Sequence, residues 1–412
     1  MRARHSLHAP LALASVFVLA ACGGSSSQPP PTETPPADCD AFLPGGSTTE
    51  AIQTALIEAQ PGDLVCFGKG TFAIDKELSL DVDDVTLRGA SRDETVFDFS
   101  GQAAGSGTPN GLRITSDGVT VQALSVKNTP GDGIRADSVV DITFRDLHVS
   151  WDASASADNG AYGLYPVGCV GVRIEACVVH GASDAGIYVG QSSNILVRDS
   201  EAFGNVAGIE IENSVDAEVV GNDAHDNTGG ILIFNLPGLP MQGGARAKVH
   251  GNLIRDNNLT NFADPGSIVA GVPKGTGVLI LASDDNELHD NEITGNGTAG
   301  LLMVAYTDTL FPPAEDPAFD AFAEGNWIHH NTFSGNGEDP DLNVAVLVMQ
   351  EPVPDMVWDG CTNTEVAMPV LNCFSDNGGA TYADGELCID NTPETTLADV
   401  TCEYSPLPSQ DP

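Results

Sequence analysis

Gly186-Ile187-Tyr188-Val189-Gly190, Gly208-Ile209-Glu210-Ile211-Glu212 and Gly230-Ile231-Leu232-Ile233-Phe234 repeat one phrase every 22 residues. Gly133-Ile134-Arg135-Ala136 and Gly163-Leu164-Tyr165-Pro166 precede them, and Gly277-Val278-Leu279-Ile280 and Gly300-Leu301-Leu302-Met303 follow in the same phase. A period of this size is one coil of a β-solenoid. The two-residue alternation of a strand turns Ile187, Ile209 and Ile231 to one side and Tyr188, Glu210 and Leu232 to the other. A second strand follows in each coil, at Ile195-Leu196-Val197, Ala217-Glu218-Val219, Ala247-Lys248-Val249 and Asn286-Glu287-Leu288. A third short strand precedes the turn into the next coil. The reading is an all-β chain, a right-handed parallel β-helix with coils of about 22 residues.

Asparagines punctuate the coils. Asn222 and Asn227, Asn252 and Asn257, Asn291 and Asn296, and Asn331 and Asn336 are pairs five residues apart. A buried amide at a tight turn can bond the backbone and its own copy one coil along, so stacked asparagines are expected as structural ladders. Thr48 to Gln60 places Ile52, Ala55, Leu56 and Ala59 on one side of a helix, a plug for the first exposed coil that ends at Pro61-Gly62-Asp63. Three stretches break the period, at 150–160, between Gly230 and Gly277, and at 307–324, and such loops tend to flank a working face.

The 412 residues are 41% hydrophobic, enough for a core, but only 6% aromatic with 45 glycines, which suits short strands around a narrow interior. The formal charge is −42; without Arg2 and Arg4, 14 basic residues face 58 acidic ones, or −44. Nucleic acid is excluded as a partner because it needs a basic footprint. The acidity implies solubility and contacts with divalent cations, or simply a salty habitat. Leu11 to Ala21 is an apolar run too short to span a bilayer, and Leu19-Ala20-Ala21-Cys22 resembles a bacterial lipobox. That resemblance implies a signal peptide at 1–21, lipidation of Cys22 and, with Gly23 next, anchoring in the outer membrane, periplasmic or surface-facing. A flexible tether would occupy 22–37, the solenoid with its cap 38–355, and a Cys-rich segment 356–412. Eight further cysteines suit an oxidising compartment. Cys361, Cys373, Cys388 and Cys402 would form two disulfides, Cys39 and Cys66 would staple the cap, and Cys169 with Cys177 is a further candidate pair. A zinc site is the weaker alternative, because no Cys-x-x-Cys occurs.

Asn128-Thr129-Pro130-Gly131-Asp132-Gly133-Ile134, Ser183-Asp184-Ala185-Gly186-Ile187-Tyr188 and Asn205-Val206-Ala207-Gly208-Ile209-Glu210 resemble a family of bacterial right-handed parallel β-helix-repeat proteins. The match runs from about residue 48 to 310 and implies the pectin-lyase-like superfamily, with no established reaction. Asn128-Thr129 ahead of Asp132-Gly133 is similar to a polygalacturonase stretch, but Pro130-Gly131 intervenes and the other signatures of those hydrolases are missing. Tyr162 to Val167 is faintly similar to the Tyr-Gly-x-Asp-Pro-His motif of alginate C5-epimerases, with Tyr165 and Val167 standing where the Asp and His would be.

The outward residues of successive coils form columns. Arg135, Tyr165, Tyr188, Glu210 and Leu232 make one, and Asp137, Val167, Gly190, Glu212 and Phe234 the next. Aromatic faces stack on sugars and polar groups fix them, so this face is expected to bind a polysaccharide, an acidic one by preference. Proton abstraction beside a sugar carboxylate would use Tyr188 or Tyr165 as base and acid, with Arg135 or Lys274 neutralising the carboxylate. Glu210, Glu212, Asp184, His180 and Phe234 would bind substrate, and Glu210 with Glu212 could hold calcium as the one cofactor considered. The competing view takes the tyrosines as cross-strand stabilisers and His180, with its counterpart His225, as a turn residue. Arg145, Glu175 and Arg198 read as a surface ion-pair ladder. A lyase or epimerase, a non-catalytic monomer resembling the periplasmic β-helix accessory proteins of metal-cofactor assembly, and an adhesin are the roles these features allow.

Overall fold

The structure, a computed structural model, describes residues 33–103, 109–307, 310–311, 314–317, 319–363, 371–385, 387–388 and 395–410. The expected signal peptide, Cys22 and most of the tether lie outside these residues. The Gly-led phrases stack as an 11-stranded parallel sheet running from Leu78–Leu80 to Tyr382–Asp384. In its ladder Ile187 faces Ile209, Ile209 faces Ile231, Ile231 faces Val278 and Val278 faces Leu301. These side chains point inward and are 0% exposed. The second and third strands of each coil belong to a single 20-stranded sheet. They fuse because the long strand Val140–Ser150 pairs with both Val170–Glu175 and Val178–His180. The result is a right-handed parallel β-helix of about 13 turns.

Helix α1 (Thr49–Glu58) closes the N-terminal end. The Thr48 hydroxyl accepts a bond from the Ala51 amide, and Ile52 and Leu56 are buried over the first coils. Beneath them Phe67, Phe72 and Phe97 pack edge to face with centroids 4.9 to 5.9 Å apart. The Cys39–Cys66 disulfide ties the first strands together as expected. At the other end Cys361–Cys388 and Cys373–Cys402 form the two C-terminal bridges. Met356–Trp358, Cys373–Ser375 and Tyr382–Asp384 still pair in parallel with preceding coils. The Cys-rich segment therefore continues the solenoid past residue 355.

Two of the expected features were the amide ladders and the ion-pair ladder, and both are present. Asn222, Asn252, Asn291, Asn331 and Asn377 each pass a side-chain hydrogen bond to the next at 2.9 to 3.1 Å. Asn205, Asn227, Asn257, Asn296 and Asn336 make a second ladder. A third, Asn286 to Asn326 to Asn372, had not been singled out. Glu175 receives Arg145 at 2.8 Å and Arg198 at 3.0 Å.

The candidate pair Cys169 and Cys177 does not bridge; both are free, buried thiols. Their positions explain this. The Cys169 amide donates to the Ser192 hydroxyl and the Cys177 amide to the Ser200 hydroxyl, so the two cysteines head different turn columns. Each thiol lies against carbonyls of its own corner, Cys169 near Val167 and Cys177 near Glu175.

Asn257 is 0% exposed, donates to the Ala224 carbonyl and to Asn296, and accepts from the backbone and side chain of Asn227. Asn257→Ala leaves at least two buried groups unpaired, at about 1–3 kcal/mol each. A loss of roughly 3 kcal/mol or more is expected in urea unfolding, and a loss below about 1 kcal/mol would contradict the structural role.

Candidate functional site

Register places the outward columns of the 11-stranded sheet as the alternation requires. Arg135 faces Tyr165, Tyr188 faces Glu210 and Glu210 faces Leu232; Asp137 faces Val167, Val167 faces Gly190, Gly190 faces Glu212 and Glu212 faces Phe234. A third outward column runs through Tyr162, Ala185, Ala207 and Gly229. Tyr162 was missed because it precedes its glycine; counting back from Gly163 as from Gly186 would have found it.

Tyr162, Tyr165 and Tyr188 form one aromatic group, with centroids 4.4, 4.6 and 4.9 Å apart. The Arg135 guanidinium lies 4.6 Å above the Tyr165 ring. Arg135 is already charge-compensated, at 2.8 Å from Asp137 and 3.5 Å from Asp132, and Asp137 also receives Arg113 at 2.8 Å. Gly190 is required here. A Cβ on it would stand 2.3 Å from the Tyr188 hydroxyl oxygen, so only glycine lets that ring lie across the strand. The Tyr188 hydroxyl thereby donates to Glu212 Oε1 at 2.6 Å.

Behind the rings lies an acid cluster. Glu210 is 2% exposed, Asp184 8% and Glu212 9%. Burial lifts Asp184 to about 7, helped by the charge of Glu212 and opposed by the Tyr162 hydroxyl. Burial also raises Glu210 well above the ordinary range, with the charges of Asp184 and Glu212 adding to it. Glu212 is raised by burial but pulled back by hydrogen bonds from Tyr188 and Glu210. The proton therefore sits on Glu210, and Glu212 acts as the acceptor. Glu210 Oε2 and Asp184 Oδ1 are buried without a hydrogen-bond partner. Burial holds all three phenols protonated, pushing Tyr165 up to about 12 and Tyr162 and Tyr188 well above the usual phenol range. At the accessible edge, burial raises Asp132 to about 6 against the opposing charge of Arg135.

Four expectations are corrected. The long insertion does not leave an open groove beside Tyr188; it lies on the sheet there, where Val269 and Val272 join Leu232, Phe234 and Tyr188 in an apolar cluster. Asn261 pins that insertion by donating to the Val269 and Val272 carbonyls, and Asn213 pins the preceding loop through Leu236 and Met241. Phe234, 1% exposed, is consequently packing and not a binding surface. His180 belongs to the other sheet, where it stacks on Phe203 at 4.8 Å. Lys274 lies at the far end of the insertion, three coils from Tyr188, and pairs with Asp339 at 2.8 Å. Of the proposed residues, Arg135, Tyr165, Tyr188, Asp184, Glu210 and Glu212 come together. Arg135, Tyr162 and Tyr165 are the partly exposed members of the group.

The model of a family described as periplasmic copper-binding protein (NosD) matches residues 110–346. No curated protein matches the chain significantly. Among solved structures, the A-module of mannuronan C-5 epimerase AlgE4 from Azotobacter vinelandii aligns at 17% identity and TM-score 0.52, over 84% of this chain and 94% of that one. The A-module of AlgE6 from the same organism aligns at 15% identity and TM-score 0.49, over 83% and 93%. An exopolygalacturonase from Thermotoga maritima aligns at 13% identity and TM-score 0.48, over 72% and 88%. At such identities the likeness is one of fold.

The acid cluster binds protons more tightly folded than unfolded, which fixes the sign of its pH dependence. Its contribution is fully present below about pH 4 and is lost as pH rises toward 7. Glu210→Gln keeps the hydrogen-bonding shape and removes the ionisation. It is expected to raise stability at pH 8 by about 1 kcal/mol or more and to flatten the fall in urea midpoint between pH 5 and pH 8. An unchanged slope would contradict the buried, protonated state.

Proposed function

The chain belongs to the periplasmic copper-binding protein (NosD) family, and from that premise we propose that it is an envelope-anchored β-helix that binds a sugar chain without turning it over. The observation that carries this reading is the group of three tyrosine rings with a guanidinium over one of them, of which Arg135, Tyr162 and Tyr165 are partly exposed. Tyr162 and Tyr165 would stack on sugar rings, while Asp132, Asp137 and Arg135 would bond hydroxyls. Glu210 and Asp184 would hold the tyrosines in place from behind.

Catalysis is poorly supported by the same geometry. As a base, Tyr188 would have to lose its proton in a buried site beside the charge of Glu212. Arg135 has two carboxylates of its own and is not free to neutralise a sugar acid. Glu210 and Glu212 are hydrogen-bonded to each other. Carboxyls that flank a glycosidic bond stand about 5 to 9.5 Å apart. The charge of −42 and the carboxylates around Arg135 favour a neutral or amino-bearing sugar over the acidic chain first expected. Calcium at Glu210 and Glu212 would require both to ionise, and among the described residues no three His, Cys, Asp or Glu side chains are grouped to hold a metal.

Copper is what the family description names, and the described residues do not fit it. Cys169 and Cys177 are inside the core. The stacked rings of His250, His289 and His329, 4.8 and 5.1 Å apart, direct nitrogens to Glu218, Asp290 and Glu287. A location outside the cytoplasm is supported by the family description and by three disulfides. We further propose lipidation at Cys22 and the outer membrane as the site of anchoring, on the strength of the lipobox-like run.

Titration of the protein with chitosan and neutral glucan oligosaccharides, alginate, pectate and chondroitin, with and without calcium, tests the reading. Tyr165→Ala should weaken binding of whichever glycan binds by about tenfold, the worth of one stacking contact at 1.4 kcal/mol, and Glu210→Gln should leave it within about twofold. Ultraviolet absorbance should show no unsaturated product. Product that Tyr188→Phe abolishes would replace this reading with a lyase.

A further inference from the structure

Beyond the insertion, the outward column of the same sheet turns aliphatic, with Leu279, Leu302 and Val357 following Leu232. A cleft of about 770 Å³ opens over these residues, between the insertion and helix α2 (Leu342–Val348). Leu279, Leu302, Val304 and Val357 line it from the sheet, and Val344 and Leu347 from the helix. The main polar groups around it are engaged with the protein's own backbone. Asp359 accepts from the Ala305 and Cys361 amides, Asn261 donates to Val269 and Val272, and Asp341 caps α2. What the cleft presents is hydrocarbon.

Its mouth is apolar too. Val346 of α2, 65% exposed, and Leu310, 47% exposed, both line the cleft and stand open to solvent. An exposed apolar rim around a concave apolar floor marks a ligand surface. A peptide would strand its backbone polar groups there, whereas an acyl chain has none to satisfy. Lys274 is the cation lining the cleft, and its partner Asp339 is 84% exposed and exchangeable with another carboxylate. A chain of charge −42 with a single such lysine would be repelled by an anionic bilayer surface.

We propose that this cleft binds the hydrocarbon chain of a single anionic amphiphile of the fatty-acid class, with its carboxylate on Lys274. The site is separate from the tyrosine group and stands whether or not that group binds sugar. Displacement of fluorescent N-phenyl-1-naphthylamine from the whole protein by octanoate, dodecanoate and hexadecanoate tests it. Affinity should rise with chain length, by up to about fourfold per methylene. Lys274→Met should weaken hexadecanoate about tenfold and leave hexadecanol unchanged. Val304→Trp should remove binding of both, and Leu347→Trp serves the same purpose if the first variant lowers the unfolding midpoint. Affinity independent of chain length, equal binding by the filled variants, or capture by phosphatidylcholine vesicles without binding of soluble hexadecanoate would each overturn the proposal.

Discussion

In a parallel solenoid each side chain lies one strand spacing, about 4.8 Å, from the same position one coil on. Everything else in this protein depends on that stacking. Inside, it makes columns of isoleucine, valine and leucine that fill a narrow core. At the turns it lets an asparagine amide donate to the next asparagine and to a neighbouring carbonyl, so polar groups are satisfied in a dry interior. Outside, it forces residues far apart in sequence into contact. The tyrosine group and the acids behind it are one consequence.

Stacking like groups is not free of conflict. Neighbouring carboxylates repel, and a covered face removes the water that would screen them. The protein resolves this at Glu210 by retaining a proton and at Glu212 by supplying donors, among them the Tyr188 hydroxyl. At Asp137 it does so with two arginines. The face consequently changes character along the axis, from paired ions through phenols and protonated acids to aliphatic side chains. The insertion pinned by Asn261 separates the tyrosine group from the apolar cleft.

What could be read from the sequence follows from the same physics. Strand phase, column membership and asparagine ladders are periodic, and a period is visible in one dimension. Arg135, Tyr165, Tyr188, Glu210 and Glu212 were placed correctly relative to one another for that reason. The path of the long interval between Gly230 and Gly277 is not periodic, so its docking over Phe234 and its separation of Lys274 from Tyr188 were invisible. His180 was drawn toward Tyr188 by sequence proximity, although a turn sends the two residues to different sheets. Cys169 and Cys177 looked like a pair because they share a coil, yet they occupy different corners of it. Charge states were hidden too, since they depend on what covers the face.

The most direct test of the buried, proton-holding cluster is a carbon-detected NMR titration of the side-chain carboxyls of Asp184, Glu210 and Glu212 in the folded protein. At least one of the three should keep its proton up to about pH 7, with Glu210 the last to ionise. Three carboxyls that all ionise near the ordinary value of about 4 would contradict it.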